Sequence, residues 1–122
     1  MTFNWTTLHV NDIEASLKFY QEMIGLPLKR RFSPNGTIEL AFLGNEGESE
    51  LELYCAPDEP KSSAKGISIG FTIQGKIEDA IQAFEKAGYA IISPIYQPNP
   101  NMRFVHISDP DGFDVQLIET DR

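Results

Sequence analysis

Two halves of this chain repeat one order of elements, and that repetition limits the available folds more than any single motif. Apolar residues recur with strand spacing, then helix spacing, then strand spacing three times over, and the series begins again roughly 63 residues later. In the first half, 3–10 reads as a strand, with Thr6, Leu8 and Val10 on one face and Trp5, Thr7 and His9 on the other. Asp12 is placed to cap a helix by accepting backbone N–H bonds. Ile13, Leu17, Tyr20 and Ile24 then share one helix face, Gly25 fits the residue after the helix end, and Pro27 prevents continuation. Strands follow near 28–33, 37–43 and 50–55, separated by Ser33-Pro34-Asn35-Gly36 and by the Gly/Glu-rich 44–49.

The segment 57–65, with Pro57, Pro60 and two serines, reads as a linker between a module at about 3–56 and a second at about 66–120. In the second half 67–73 is the strand, with Ile69, Phe71 and Ile73 opposite Ser68, Gly70 and Thr72. Ile77, Ala80, Ile81, Phe84 and Ala87 form the apolar face of a helix stopped by Gly88. Strands near 89–96, 102–108 and 113–119 complete the unit, with the loop Gln97–Asn101 between two of them. Asp109-Pro110-Asp111-Gly112 is a turn: Pro presets φ, Asp bonds local N–H groups and Gly tolerates positive φ. The strand after it puts Val115 and Leu117 on one face and Asp114, Gln116 and Ile118 on the other. The fold class is therefore α+β, two tandem βαβββ modules. Under the offset Phe42 corresponds to His106 and Glu52 to Gln116.

Charge and composition exclude several functions. A net charge of −8 disfavours nucleic acid or an anionic membrane surface as partner and suits an uncharged or cationic ligand. The single cysteine, Cys55, cannot form an intrachain disulfide and fits a reducing compartment. Met1-Thr2-Phe3-Asn4-Trp5 lacks the basic and apolar regions of a signal peptide, and no apolar run approaches membrane-spanning length. The expected location is the cytoplasm. Cys55 falls on the helix-side face as a core thiol, and Lys29-Arg30-Arg31 reads as a charged strand edge. No Ser-His-Asp order, phosphate loop or dinucleotide fingerprint is present.

The run Thr7-Leu8-His9-Val10-Asn11-Asp12-Ile13-Glu14-Ala15-Ser16-Leu17-Lys18-Phe19-Tyr20, with Ile24-Gly25-Leu26, Leu51-Glu52-Leu53-Tyr54, Asp109-Pro110-Asp111-Gly112-Phe113 and Gln116-Leu117-Ile118-Glu119, resembles the vicinal oxygen chelate superfamily. That superfamily includes glyoxalase I, bleomycin-resistance proteins, fosfomycin-resistance enzymes and extradiol dioxygenases. The resemblance covers essentially the whole chain. It implies a cup-like curved sheet, commonly a homodimer, and no single chemistry.

In metal-dependent members, four cup-facing positions hold His, Glu or Gln around a divalent ion, and by resemblance these fall on Trp5, Glu52, Ser68 and Gln116. Trp offers only an N–H donor, Ser is a weak neutral ligand and Gln supplies only a carbonyl oxygen. Glu52 alone is a poor site for zinc, nickel or iron, so no metal and no other cofactor is expected there. A displaced His9–Glu52–His106 cluster is conceivable, but the sequence fixes no geometry for it.

The remaining inventory favours binding. Trp5 and Tyr54 offer flat surfaces, while Thr7, His9, Ser68, Thr72 and Gln116 offer hydrogen bonds. Gly70 leaves room for a ligand to approach. Phe42 and Phe104 fit as filling, and Arg103 faces cup or solvent according to register. The first expectation is a metal-independent binder of a small aromatic or cationic molecule, as in bleomycin-resistance-like proteins. The alternative is a divergent glyoxalase-like lyase or isomerase with Glu52 as catalytic acid–base, with or without a displaced metal.

Overall fold

Each half builds a four-stranded sheet in which the first strand lies beside the last. The computed structural model describes residues 1–59 and 65–120, so the expected linker falls partly outside the described residues. The chain divides into two compact units, Met1–Ser62 and Ser63–Arg122. The first holds β1 (Trp5–His9), α1 (Ile13–Leu17) continued by a π-helical segment (Lys18–Met23), β2 (Leu28–Phe32), β3 (Glu39–Leu43) and β4 (Glu50–Cys55). The second holds β5 (Ser68–Thr72), α2 (Ile77–Lys86), β6 (Tyr96–Asn99), β7 (Met102–Ser108) and β8 (Asp114–Thr120). Strand orders are β1-β4-β3-β2 and β5-β8-β7-β6, and the β1–β4 and β5–β8 pairs are parallel.

Alternation in the strands decides which face is covered. Leu8, Leu51, Leu53 and Leu43 are buried with Ile13, Leu17, Phe19 and Tyr20 in the first unit. Val105, Ile107, Val115 and Leu117 are buried with Ile77 and Phe84 in the second. The face of each sheet away from the helix mixes polar and aromatic side chains, among them Trp5, Thr7, Phe42 and Glu52 in the first unit and Ser68, Phe104, His106 and Gln116 in the second.

The helix signals act as their chemistry predicts. Asp12 accepts from the N–H groups of Glu14 and Ala15, and Gly25 and Gly88 take φ of +91° and +93° after the helices. One detail differs. The first helix loosens after Leu17 into i→i+5 bonding, with Ile24 N–H donating to the Phe19 carbonyl at 3.0 Å. Regular spacing turns Phe19 away from the Ile13–Leu17–Tyr20 stripe, yet Phe19 and Tyr20 are both fully buried, rings 4.8 Å apart edge to face. Ala87, expected on the second helix's apolar face, is instead the exposed C-cap.

The expected strand at 89–96 is not formed as such. Only an isolated antiparallel bridge, Ile91 with Ile107, occurs there, and Pro94 interrupts continuation because it has no N–H. The strand that does form, β6, includes Gln97–Asn99, which the sequence assigns to a loop. Pro98 is tolerated because β6 is an edge strand whose register with β7 is irregular at that point. The basic strand β2 is likewise an edge, as its charges suggest.

Register also settles Arg103. It lies on the helix side, where its guanidinium bonds both carboxylate oxygens of Glu78 in the first turn of α2 and both of Glu119 on β8. Glu119 in turn accepts from Ile77 N–H at 2.8 Å, so the network fastens the N-terminus of α2 to the sheet. The bond from Arg103 holds the Glu78 carboxyl down at about 2, and Glu119 is also lowered, first by Arg103. A carboxylate with a depressed folded-state pKa adds stability above its unfolded value and loses it as pH falls through the folded one. Thermal melts should therefore show Tm falling between pH 4.5 and about 2. An Arg103→Gln variant should have a lower Tm at neutral pH and a flatter acid limb.

Candidate functional site

The open face of the first unit brings together most of the residues expected there. Register sets Trp5 beside Glu50, Thr7 beside Glu52, His9 beside Tyr54 and Phe42 beside Glu52. Thr7 Oγ1 donates to Glu52 Oε1 at 2.5 Å, across the parallel pair β1–β4. Glu52 is almost fully enclosed, at 9% exposure, whereas Trp5 is 45% exposed. The Trp5 indole meets Phe42 edge to face at 5.3 Å, and Phe32 stacks beyond Phe42 at 6.3 Å. Arg30 lies over the Phe42 ring, 4.0 Å from its centroid, while both its terminal nitrogens bond Glu50 at 2.8 and 2.9 Å. That bond holds the Glu50 carboxyl below its usual range. A cleft of about 260 Å³ opens beside Trp5, lined also by Phe3, Asn4 and Glu50.

His9 and Tyr54 pack together, ring centroids 4.5 Å apart. The Tyr54 hydroxyl donates to Glu59 at 3.0 Å, which raises its pKa above the usual phenol value. Cys55 is buried, its Sγ 3.7 Å from the Asn11 carbonyl, as a core thiol should be.

The second unit repeats the registers but changes the chemistry. Ser68 pairs with Asp114, Gly70 with Gln116 and Thr72 with Ile118, while His106 pairs with Gln116. The equivalences are therefore Trp5 with Ser68, Thr7 with Gly70, Glu50 with Asp114, and Glu52 with Gln116. Where the first unit has an aromatic–cation arrangement at Phe42, the second has His106. Its Nδ1 lies 2.7 Å from Asp114 Oδ1, and Ser68 Oγ donates to Asp114 Oδ2 at 2.5 Å. An ionised carboxylate only accepts, so the ring nitrogen facing it carries the proton. Tyr96 and Phe104 flank the imidazole, with centroids 6.3 and 5.7 Å away.

This Ser–Asp–His chain is not one the sequence order suggests. It also differs from a nucleophilic triad, since the serine proton goes to the carboxylate and not to the imidazole. Asp114 is the functional candidate that sequence reasoning missed. Alternation places it on the Ser68–Gln116 face, but only strand order sets it between Ser68 and His106.

Gly70 is tighter than expected. A Cβ there would stand 3.1 Å from Ile118 Cδ1 and 3.4 Å from Gln116 Oε1, so the missing side chain accommodates its neighbours. Neither Trp5 and Glu52 in the first unit nor Ser68 and Gln116 in the second make a donor set suited to a divalent ion. Trp5 has no acceptor, Ser68 is a weak neutral hydroxyl, Gln116 is a neutral amide, and Glu52 is the one carboxylate, with Oε1 already bonded by Thr7. Among the described residues no group of three or more His, Cys, Asp or Glu side chains is placed to hold a metal ion.

Two βαβββ units, each with its first and last strands side by side and polar residues on the uncovered face, define a paired βαβββ protein of the vicinal oxygen chelate type. The chain belongs to the Glyoxalase/Bleomycin resistance protein/Dioxygenase superfamily, whose family model matches residues 2–117. It is 36% identical to the uncharacterized protein YwbC of Bacillus subtilis, over 88% of each chain. It is 31% identical to the lactoylglutathione lyase of Haemophilus influenzae, over 93% of this chain and 89% of that one. Among solved structures, a glyoxalase family protein from Bacillus cereus superposes with a TM-score of 0.84 at 20% identity, covering 98% of this chain and 93% of that one. The glyoxalase I of Leishmania major gives 0.74 at 24%, covering 98% and 86%. No helix among the described residues is long and apolar enough to cross a membrane.

Proposed function

We propose that this protein binds a small aromatic or cationic molecule on its open sheet faces, without a metal at the four positions where relatives use one. The observation that carries this reading is the donor set at those positions, an indole, a hydroxyl, an amide and one carboxylate already bonded by Thr7. In the first unit the half-exposed Trp5 offers a flat surface that buries large area at low entropy cost, and Glu52 supplies direction. The net charge of −8 draws cations toward the protein.

Trp5 is the only tryptophan, so its fluorescence reports on the first unit's face directly. Native mass spectrometry of freshly purified protein should reveal a co-purified organic ligand and the expected homodimer, and elemental analysis should find no stoichiometric transition metal. Titration with that ligand should quench Trp5 fluorescence. By calorimetry, Trp5→Ala and Glu52→Gln should each weaken affinity by about tenfold, or ~1.4 kcal/mol. Unchanged affinity in both variants would remove this face from the site, and a bound stoichiometric metal would overturn the metal-free reading.

A second reading, a lyase or isomerase with Glu52 as acid–base, is supported by the lactoylglutathione lyases among its relatives. Turnover of lactoylglutathione by the metal-supplemented protein, abolished in Glu52→Gln, would favour it over binding alone.

A further inference from the structure

We propose that His106 is a proton-accepting base on the open face of the second sheet, oriented by Asp114, for a flat ligand carrying an acidic hydrogen. The proposal rests on the reading that small molecules occupy this face, and adds a reaction class and a residue to it.

Three observations combine. In the neutral ring the nitrogen facing the Asp114 carboxylate, Nδ1, is the donor, which leaves Nε2 as the lone-pair nitrogen. Nε2 has no hydrogen-bond partner among the described residues, and the His106 side chain is 21% exposed, so the lone pair is neither consumed nor sealed away. Asp114 is itself held, because Ser68 on the neighbouring strand donates to its second oxygen. The imidazole thus has one orientation, and positive charge formed on it faces a carboxylate 2.7 Å away. This is the arrangement a base needs: geometry first, then stabilisation of the charged form.

The neighbours describe the ligand. Tyr96 and Phe104, 5.3 Å apart, wall the ring with flat apolar surface and favour a planar, conjugated molecule. Gln116, directly across the β7–β8 pair, has an amide whose N–H groups take no partner among the described residues and can donate to an oxygen gaining charge. In the step proposed, Nε2 takes a proton from a C–H next to a carbonyl or an electron-poor ring. The C–H electron pair moves into the conjugated system, and either the proton returns at another atom or a leaving group departs. No oxidant, reductant or cofactor is consumed. Asp114 touches no ligand in this scheme and is a positioning residue.

The test uses 5-nitrobenzisoxazole, a flat probe with one acidic ring C–H. Loss of that proton sends the C–H electrons into a nitrile, breaks the N–O bond and releases a coloured phenolate, with the proton passing to His106 and then to water. Binding is followed separately by amide chemical-shift changes in the full chain, and turnover by absorbance above the buffer rate. The wild type is expected to turn the probe over. His106→Gln should lose on the order of a hundredfold while the shift changes on β7 and β8 persist. Asp114→Asn should lower kcat with KM unchanged, and ring nitrogen-15 spectra should show His106 leaving its single Nδ1–H tautomer. Probe binding without turnover in the wild type, or turnover equal in His106→Gln, overturns the base and leaves the binding reading intact. Absence of shift changes on the second sheet removes the binding reading for this face, and the proposal with it. A single tautomer retained in Asp114→Asn removes the positioning role.

Discussion

Replacing Phe19 with alanine is expected to lower the unfolding free energy by about 3–5 kcal/mol. The ring is fully buried against Tyr20, in the segment where the first helix loosens to i→i+5 bonding. Removing it takes away a large apolar area and leaves a void that rigid neighbours close only in part. A loss of that size is a large share of the ~5–15 kcal/mol that holds a domain of this kind together. Urea denaturation followed by circular dichroism measures it, and Phe19→Leu, which keeps most of the volume, should cost far less. If the alanine variant lost less than ~1 kcal/mol, Phe19 would not be the packing element that its burial indicates.

Asp109→Ala should be the second large effect, at about 2–3 kcal/mol. Asp109 is 4% exposed, and its Oδ1 accepts from Asp111 N–H at 2.9 Å and Phe113 N–H at 2.8 Å. Alanine leaves both donors in a turn where Gly112 already takes φ of +89°. The turn sits immediately before Asp114, so its loosening should also disturb the carboxylate that orients His106. Denaturation gives the stability change, and hydrogen exchange at the amides of Asp111 and Phe113 localises it. Asp109→Asn keeps an acceptor and should recover much of the loss. Equal stability of wild type and alanine variant would mean that water satisfies both donors.

The fold was largely legible because its signals are local. Asp12 as cap, Gly25 and Gly88 as helix stops and the alternation in β4, β7 and β8 each follow from a few neighbouring residues. The failures lie where distant partners intervene. Pro98 argues for a loop when read alone, and only an edge position beside β7 lets it sit in a strand. Phe19 falls off the helical stripe, and tertiary packing buries it regardless.

The candidate site divides along the same line. The sequence determined the residue types at the four positions, Trp5, Glu52, Ser68 and Gln116, and with them the mismatch to a divalent ion. Ligand chemistry is a property of the side chain itself, so no coordinates are needed to read it. Only the tertiary structure decided what those side chains are bonded to. Thr7 and Glu52 lie 45 positions apart in the chain and meet at 2.5 Å. Ser68, Asp114 and His106 come from three strands whose order no local pattern encodes. Hydrogen bonds act over about 3 Å, and strand pairing sets which distant residues come that close.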